Sequence, residues 1–416
     1  MKHLIALIIY TAALMLVAAC SPESVSLRTE KQLVDTRLDI PAEEPPADQT
    51  FTWITEDGGQ SQLDFNPQVD ILFVTDNSDS MKSAQANLIK NLDRFTAGIV
   101  KNKMIDFHIG VISVWDSSEH YIKNKKDNFE IGELRFIKDA KGATQNRRFV
   151  TKADTRSILA STLNIGVSPY EQGGPEIEEI FSPLKAALEK TGRGAANEDF
   201  FRPEAQLVVI LLTDADDSSN GISAEEMSAT LTQFKGGRAN KVAVYGVLVN
   251  AKDPDSAKDW SMRIHPKYNP RCFDMTQKTP KNNGTCAPIG PQKLENFIVL
   301  ANQSSGITPE EIRDKYIMSI LSPKFGEDLG KLGDGITVKT LEKEIFLSQR
   351  PRIENNRIMI RVHYGQQEIP VADGKSRKGW RYDAERNSIV LPGDLNYQYV
   401  EGARFTVELQ PLPYSI

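Results

Sequence analysis

Four runs of nearly unbroken apolar residues constrain this 416-residue chain more than any other feature: 69–75, 107–114, 207–213 and 242–249. A strand with one wet face alternates apolar and polar residues. A strand buried on both faces does not, and such strands belong to parallel sheets covered by helices. Helical periodicity fills the gaps. Leu88, Leu92, Phe95 and Ile99 follow i, i+4, i+7, i+11 spacing. Ile177, Phe181, Leu184 and Leu188 repeat it after Pro175, with Pro183 expected to kink that helix. Residues 223–235 and 292–303 supply two more helical patterns. The alternation predicts an α/β fold with a doubly wound, mostly parallel sheet over residues 68–335. The polar stretch 116–165, with short β-like pieces at 133–137 and 148–150, reads as an edge strand plus an insertion.

From residue 336 the texture changes. Short strands at 345–347, 358–362, 380–382, 389–391 and 405–409 are divided by Gly, Asn, Asp and Pro turns, which predicts a small antiparallel β module over 336–416. Ahead of the first long run, Phe51, Trp53, Leu63 and Phe65 flank Asp57-Gly58-Gly59, so residues 50–67 read as a β-hairpin. The balance of 40% apolar and 25% charged residues is globular and excludes whole-chain disorder. A formal charge of −6 without a basic block argues against nucleic acid as a partner.

The N-terminus addresses the compartment. Lys2 precedes an apolar run over residues 4–19, too short to span a bilayer but right for the core of a signal peptide. The run ends in Val17-Ala18-Ala19-Cys20. This resembles a bacterial lipobox, which implies removal of residues 1–19 and lipidation of Cys20 by diacylglycerol and an N-acyl chain such as palmitate. Ser21 after the Cys, by analogy with the sorting rule of enteric bacteria, favours the outer membrane over the inner. Residues 20–49, with seven acidic and three basic residues and Pro at 22, 41, 45 and 46, read as a flexible tether. Of the three cysteines, Cys272 and Cys286 then remain, and in an extracytoplasmic protein a disulfide between them is the expected reading.

The candidate chemistry lies where the long strands end. The first run leads into Asp76-Asn77-Ser78-Asp79-Ser80, and the third ends in Thr213-Asp214-Ala215-Asp216-Asp217. Open α/β sheets bind ligands at their carboxyl ends, so two central parallel strands would bring Asp76, Ser78, Ser80 and Asp214 to one rim. Carboxylates and hydroxyls are hard oxygen donors, suited to Mg²⁺, Mn²⁺ or Ca²⁺. The bland alternative is that such residues only cap the following helix. The pattern resembles the von Willebrand factor type A (vWA) domain and its metal-ion-dependent adhesion site (MIDAS), in a bacterial lipoprotein subgroup. The resemblance covers about two-thirds of the chain. It implies that the serines touch a metal, that the aspartates hold it largely through water, and that an acidic residue of a protein partner fills the open position. One element departs from the family. Where it supplies a Thr, the loop here reads Tyr170-Glu171-Gln172-Gly173-Gly174-Pro175-Glu176, and Glu176, expected to start a helix there, is the substitute candidate. Asp79, Asp216 and Asp217 read as solvated loop acids more readily than as a second ion site.

These readings converge on a lipid-anchored vWA protein of the bacterial envelope that binds a partner through a divalent metal, in adhesion or assembly, and that is not an enzyme. The alternatives are a metal-independent structural lipoprotein using the fold as scaffold, and a metal-dependent hydrolase with Asp76 as nucleophile. The latter lacks an accompanying base. Two measurements check the processing reading. Cys20→Ser should release or misprocess the protein in fractionated cells. Non-reducing mass mapping should recover Cys272 linked to Cys286; two freely alkylatable thiols would contradict it.

Overall fold

A computed structural model describes residues 51–61, 67–100, 105–139, 141–249, 273–274, 279–280, 291–303, 307–320, 322–355, 357–372 and 379–412. The expected signal peptide and tether, the expected lipidation site Cys20, and the expected disulfide pair Cys272 and Cys286 lie outside the described residues. Trp53–Ile416 forms one compact unit.

The strands of the three larger sheets are β1 (Ile54–Gln60), β2 (Gln68–Thr75), β3 (Asp106–Ser113), β4 (Val150–Thr151), β5 (Gln206–Thr213), β6 (Val242–Leu248) and β7 (Ile317–Ser319), followed by β8 (Lys343–Phe346), β9 (Ile360–Tyr364), β10 (Gln367–Ile369), β11 (Arg381–Asp383), β12 (Ser388–Leu391) and β13 (Arg404–Leu409). The helices are α1 (Lys82–Val100), α2 (Glu119–Asn124), α3 (Arg156–Leu163), α4 (Phe181–Glu189), α5 (Ala224–Phe234), α6 (Gln292–Ala301), α7 (Pro309–Tyr316) and α8 (Phe325–Thr340).

The main sheet runs β4-β3-β2-β5-β6-β7, with β4 antiparallel and every other neighbour parallel. Each of the four apolar runs becomes a strand within a residue of its expected bounds, and β5 and β6 are buried along their whole length. The edge strand expected within 116–165 is β4. From β2 the chain moves outward to β3 on one side. From β5 it moves outward to β6 on the other. The order therefore reverses between β2 and β5, and that crevice is where an open sheet accepts a ligand. The lower ends are clasped by Arg202, whose Nε and backbone N–H donate to the buried Asp70 at 2.8 and 2.7 Å and whose Nη1 donates to Asp106 at 2.7 Å.

The C-terminal strands make two larger antiparallel sheets, β1-β13-β9-β10 and β8-β12-β11, around one core that includes Val362, Tyr364, Trp380, Ile389 and Val407, with a two-stranded ribbon of Ile353–Glu354 and Arg357–Ile358 beside them. Here the hairpin expectation for 50–67 is corrected. Residues 54–60 are a single strand paired antiparallel with β13, and Asp57-Gly58-Gly59 is a bulge within it, not a turn. Gly58 is required by contact: a Cβ there would meet Phe405 Cβ at 2.8 Å. The strand preceding β2 is thus sewn to the end of the chain.

Two further expectations change. Pro183 does not kink α4, because it falls in the first turn, where its missing N–H has no intrahelical partner to lose. The boundary at 335/336 cuts through α8, which runs to Thr340 and packs along α1. The sequence hides this helix behind Gly326, Gly330, Gly333 and Gly335, since each glycine costs a helix about 1 kcal/mol. Packing explains two of them. A Cβ on Gly333 would sit 2.2 Å from the Phe95 carbonyl oxygen of α1, and one on Gly326 at 2.2 Å from Asn91 Oδ1.

The glycines of α8 make a signed prediction. Gly333→Ala should destabilise by ~1–3 kcal/mol through overpacking against backbone. Gly330→Ala, whose Cβ would stand an ordinary 3.6 Å from the Arg94 carbonyl oxygen, should stabilise by ~0.5–1 kcal/mol. Urea unfolding of the two variants measures both; shifts of the same sign would contradict the packing argument.

Candidate functional site

The turn after β2 is locked to β5 before any side chain is considered: Asp76 N–H donates to the Leu212 carbonyl at 2.9 Å. The Asp76 carboxylate is fully buried. One oxygen accepts from Ser78 N–H at 2.8 Å, closing an Asx turn, and the other accepts from the Thr213 hydroxyl at 2.8 Å. Burial pushes its pKa up, against those bonds.

Ser78 has extended backbone and precedes a single 3₁₀ turn, Asp79–Met81, that feeds α1. A serine in that place ordinarily uses its hydroxyl to cap a backbone N–H. Ser78 makes no such bond. Its Oγ lies 3.0 Å from Ser80 Oγ, which in turn donates to Asp214 Oδ1 at 3.2 Å. Ser78, Ser80 and Asp214 therefore join side chain to side chain across the tops of β2 and β5, with Asp76 held beneath them by Thr213 and the Ser78 N–H. Ser80 and Asp79 are exposed, Asp214 is half-buried and Ser78 is buried. Among the described residues no group of three or more His, Cys, Asp or Glu side chains gathers at one point; the donors that meet are hydroxyls and carboxylates mixed.

Neighbouring loops are pinned to this turn. Gln85, buried on α1, donates from Nε2 to the Asp76 carbonyl at 2.8 Å and to the Gly166 carbonyl at 3.1 Å, and accepts from Gly166 N–H. Ser168 N–H donates to the Asn77 carbonyl at 2.9 Å. Gly173, at φ +83°, packs where a Cβ would meet the Asn124 carbonyl oxygen at 2.2 Å.

Glu176 is where the expectation fails in part. It does not start a helix: α4 begins at Phe181. The reason lies in the buried Asp116, whose Oδ2 takes the N–H groups of Glu176 and Ile177 at 2.9 and 3.1 Å and holds them in a loop. Burial raises the Asp116 pKa, but these bonds and those from Ser118 outweigh it and hold the carboxyl below its usual range. The Glu176 side chain is exposed and stands outside the Ser78–Ser80–Asp214 chain of hydrogen bonds.

Asp216 and Asp217 are not loop acids in solvent. Asp217 Oδ1 accepts from Ile180 and Phe181 N–H at 2.7 and 2.9 Å, capping α4. Asp216 accepts from Lys293 and Leu294 N–H at 3.1 and 3.0 Å, capping α6. A local pattern could not reveal these caps, because each carboxylate serves a helix distant in sequence. Thr213 and Gln85, the supports of Asp76, were equally invisible as partners, although Thr213 is adjacent to a residue the motif singles out.

No protein-family model matches this chain, and no curated protein matches it. Solved structures that share features of the fold include proximal thread matrix protein 1 (PTMP1) of the mussel byssus, 15% identical over 70% of this chain and 51% of that one, with a TM-score of 0.34. A second structure of that protein, TM-score 0.23 at 18% identity over 48% of this chain and 38% of that one, is described with a zinc-occupied MIDAS motif. The pilus adhesin SpaC of Lactobacillus rhamnosus GG is 11% identical over 86% of this chain and 40% of its own, TM-score 0.33. The VWA domain of SpRpn10 is 12% identical over 62% of this chain and 92% of its own, TM-score 0.30. The chain spans about half the length of the first of these and two-fifths of the adhesin. At these scores the likenesses carry no functional argument, and the α/β architecture stands on the topology described above.

Proposed function

We propose that this protein is a lipid-anchored, extracytoplasmic binding protein that captures an acidic residue of a protein partner through a divalent cation held by Asp76, Ser78, Ser80 and Asp214. Binding, not catalysis, is the activity this reading assigns. The observation that carries it is the use made of the two serine hydroxyls. In the helix-capping alternative Ser78 would bond a backbone N–H; it bonds Ser80 instead, and Ser80 bonds Asp214. The donor set is all oxygen, with two carboxylates and two hydroxyls, which fits Mg²⁺, Mn²⁺ or Ca²⁺. A cation there would also offset the burial of Asp76. With few carboxylates in direct contact, the ion keeps residual positive charge and attracts an incoming carboxylate.

Glu176 belongs to the reading as a reserve donor, exposed on a loop held at the same rim by Asp116. The envelope location and the Cys20 anchor rest on the N-terminal sequence alone. A metal-independent scaffold is the second reading, favoured by the fact that the hydroxyls and Asp214 already satisfy one another.

Calorimetric titration of Mg²⁺ and Mn²⁺ separates the two. Wild type should bind, and Asp76→Ala and the closer mimic Asp76→Asn should not. Thr213→Val, which removes the hydroxyl that supports Asp76 and accepts from the Ala215 N–H, should weaken affinity by about 10–100-fold, as outer-shell changes do. Glu176→Gln should stay within a few-fold of wild type, since its side chain is not held in place. Absence of heat with either metal in the wild type would leave the scaffold reading.

A further inference from the structure

Beside the site, the insertion between β3 and α3 walls a cleft of about 550 Å³. Asn77, which shares the turn of Asp76 and Ser78, lines one end together with Gly166 and Ser168. The cleft is cationic in a chain of net charge −6. Lys125, Lys126, Arg135, Lys138 and Arg148 line it, against Asp127 and Glu133. Both acids are already engaged, Asp127 with Arg135 at 2.6 Å and Glu133 with Arg148 at 3.5 Å. The guanidinium groups are stacked in place: Arg135 lies 4.2 Å over the Phe129 ring and Arg148 4.2 Å over the Phe136 ring. Such stacking fixes direction, and so do bonds within the chain, from Arg135 to Asp127 and to the Ser113 hydroxyl and from Arg148 to Glu133 and the Leu134 carbonyl, so the two guanidiniums act on the cleft through their charge.

Among the described residues, two buried polar atoms on the lining lack a partner. They are the carboxamide oxygen of Asn77, a residue only 9% exposed, and Nε of Arg135. Buried polar atoms are nearly always paired, so the two mark the cleft lining as locally under-satisfied. The neighbouring rim narrows the choice of anion. Asn77 sits between Asp76 and Ser78 and also lines the cleft, so a peptide segment with one carboxylate at the rim carries its next acidic side chain into the cleft, which a free phosphate does not do.

We infer that this cleft is a second anionic subsite, which takes a further carboxylate and the adjoining backbone of an acidic peptide segment whose first carboxylate sits at the Asp76–Asp214 rim. The inference rests on the metal-binding reading for the first carboxylate and on the cleft alone for the second. Partner recognition is thus divided. The rim fixes one acidic side chain, and the insertion selects a segment with another negative charge nearby.

The test uses the full chain in detergent micelles, with a fluorescein-labelled hexaglutamate peptide and its hexaglutamine analogue as probes, followed by anisotropy in Mg²⁺ and in EDTA. Wild type should bind hexaglutamate, not hexaglutamine, in Mg²⁺. Lys126→Glu/Lys138→Glu alters two positions on the cleft wall outside the metal site. It should weaken hexaglutamate by about tenfold or more, the loss expected for a charge-assisted contact, while leaving calorimetric Mg²⁺ affinity unchanged. Asn77→Ala should weaken the peptide as well. Unchanged peptide affinity in Lys126→Glu/Lys138→Glu overturns the cleft and leaves the metal reading intact. Hexaglutamate binding that survives EDTA and Asp76→Ala but is lost in Lys126→Glu/Lys138→Glu overturns the metal reading and keeps the cleft. Displacement of the peptide by an equal concentration of inorganic phosphate, or failure of the wild type to bind it, overturns the peptide assignment.

Discussion

The site depends on a carboxylate that has been taken fully out of water. Burying a charged group costs several kcal/mol unless hydrogen bonds or an opposing charge offset it. The Asp76 carboxylate meets that cost with the Ser78 N–H and the Thr213 hydroxyl, while the Asp76 backbone N–H is tied to the Leu212 carbonyl. Two of these three partners belong to β5. The carboxylate can therefore be accommodated only when β2 and β5 are neighbours in parallel register, which they are from Val69 opposite Gln206 to Thr75 opposite Leu212. The same pairing sets Ser80 within reach of Asp214. Sheet order and site geometry are one constraint.

Acidic side chains perform a second task at this rim. Asp116, Asp216 and Asp217 each accept from two consecutive backbone N–H groups of a segment far away in sequence. Hydrogen bonds to a charged acceptor contribute about 1.5–3 kcal/mol each, more than neutral ones. The loops above the sheet are thereby fixed to one another. Lys293 adds an ion pair to Asp217 at 2.5 Å, tying the caps of α4 and α6 together. A rim built this way can present ligands from several loops without relying on any one of them being regular.

At the other edge, glycine serves packing. Along α8 it lets the helix backbone approach α1 closely, and at Gly58 it lets β1 lie against Phe405. Both are contacts between segments more than 200 residues apart in sequence. They join the first strand, the main sheet and the last strands into the single unit Trp53–Ile416.

The sequence alone determined the sheet, because continuous apolar runs can be buried only on both faces, and it singled out Asp76, Ser78, Ser80 and Asp214, because strand ends in such a sheet meet at one rim. It also marked the antiparallel texture beyond residue 336. Tertiary structure decided the rest, wherever a partner lies far along the chain. Asp57-Gly58-Gly59 carries the local chemistry of a turn, yet β13 beside it makes a bulge. Glu176 follows a proline as a first-turn acid would, yet Asp116 takes the N–H groups a helix needs. Asp216 and Asp217 look like solvated acids until α4 and α6 bring their N-termini to them. The glycines of α8 argue against a helix until α1 supplies the close contact that favours one. Local pattern reports propensity and burial, whereas caps, bulges and close helix contacts are set by which distant backbone arrives.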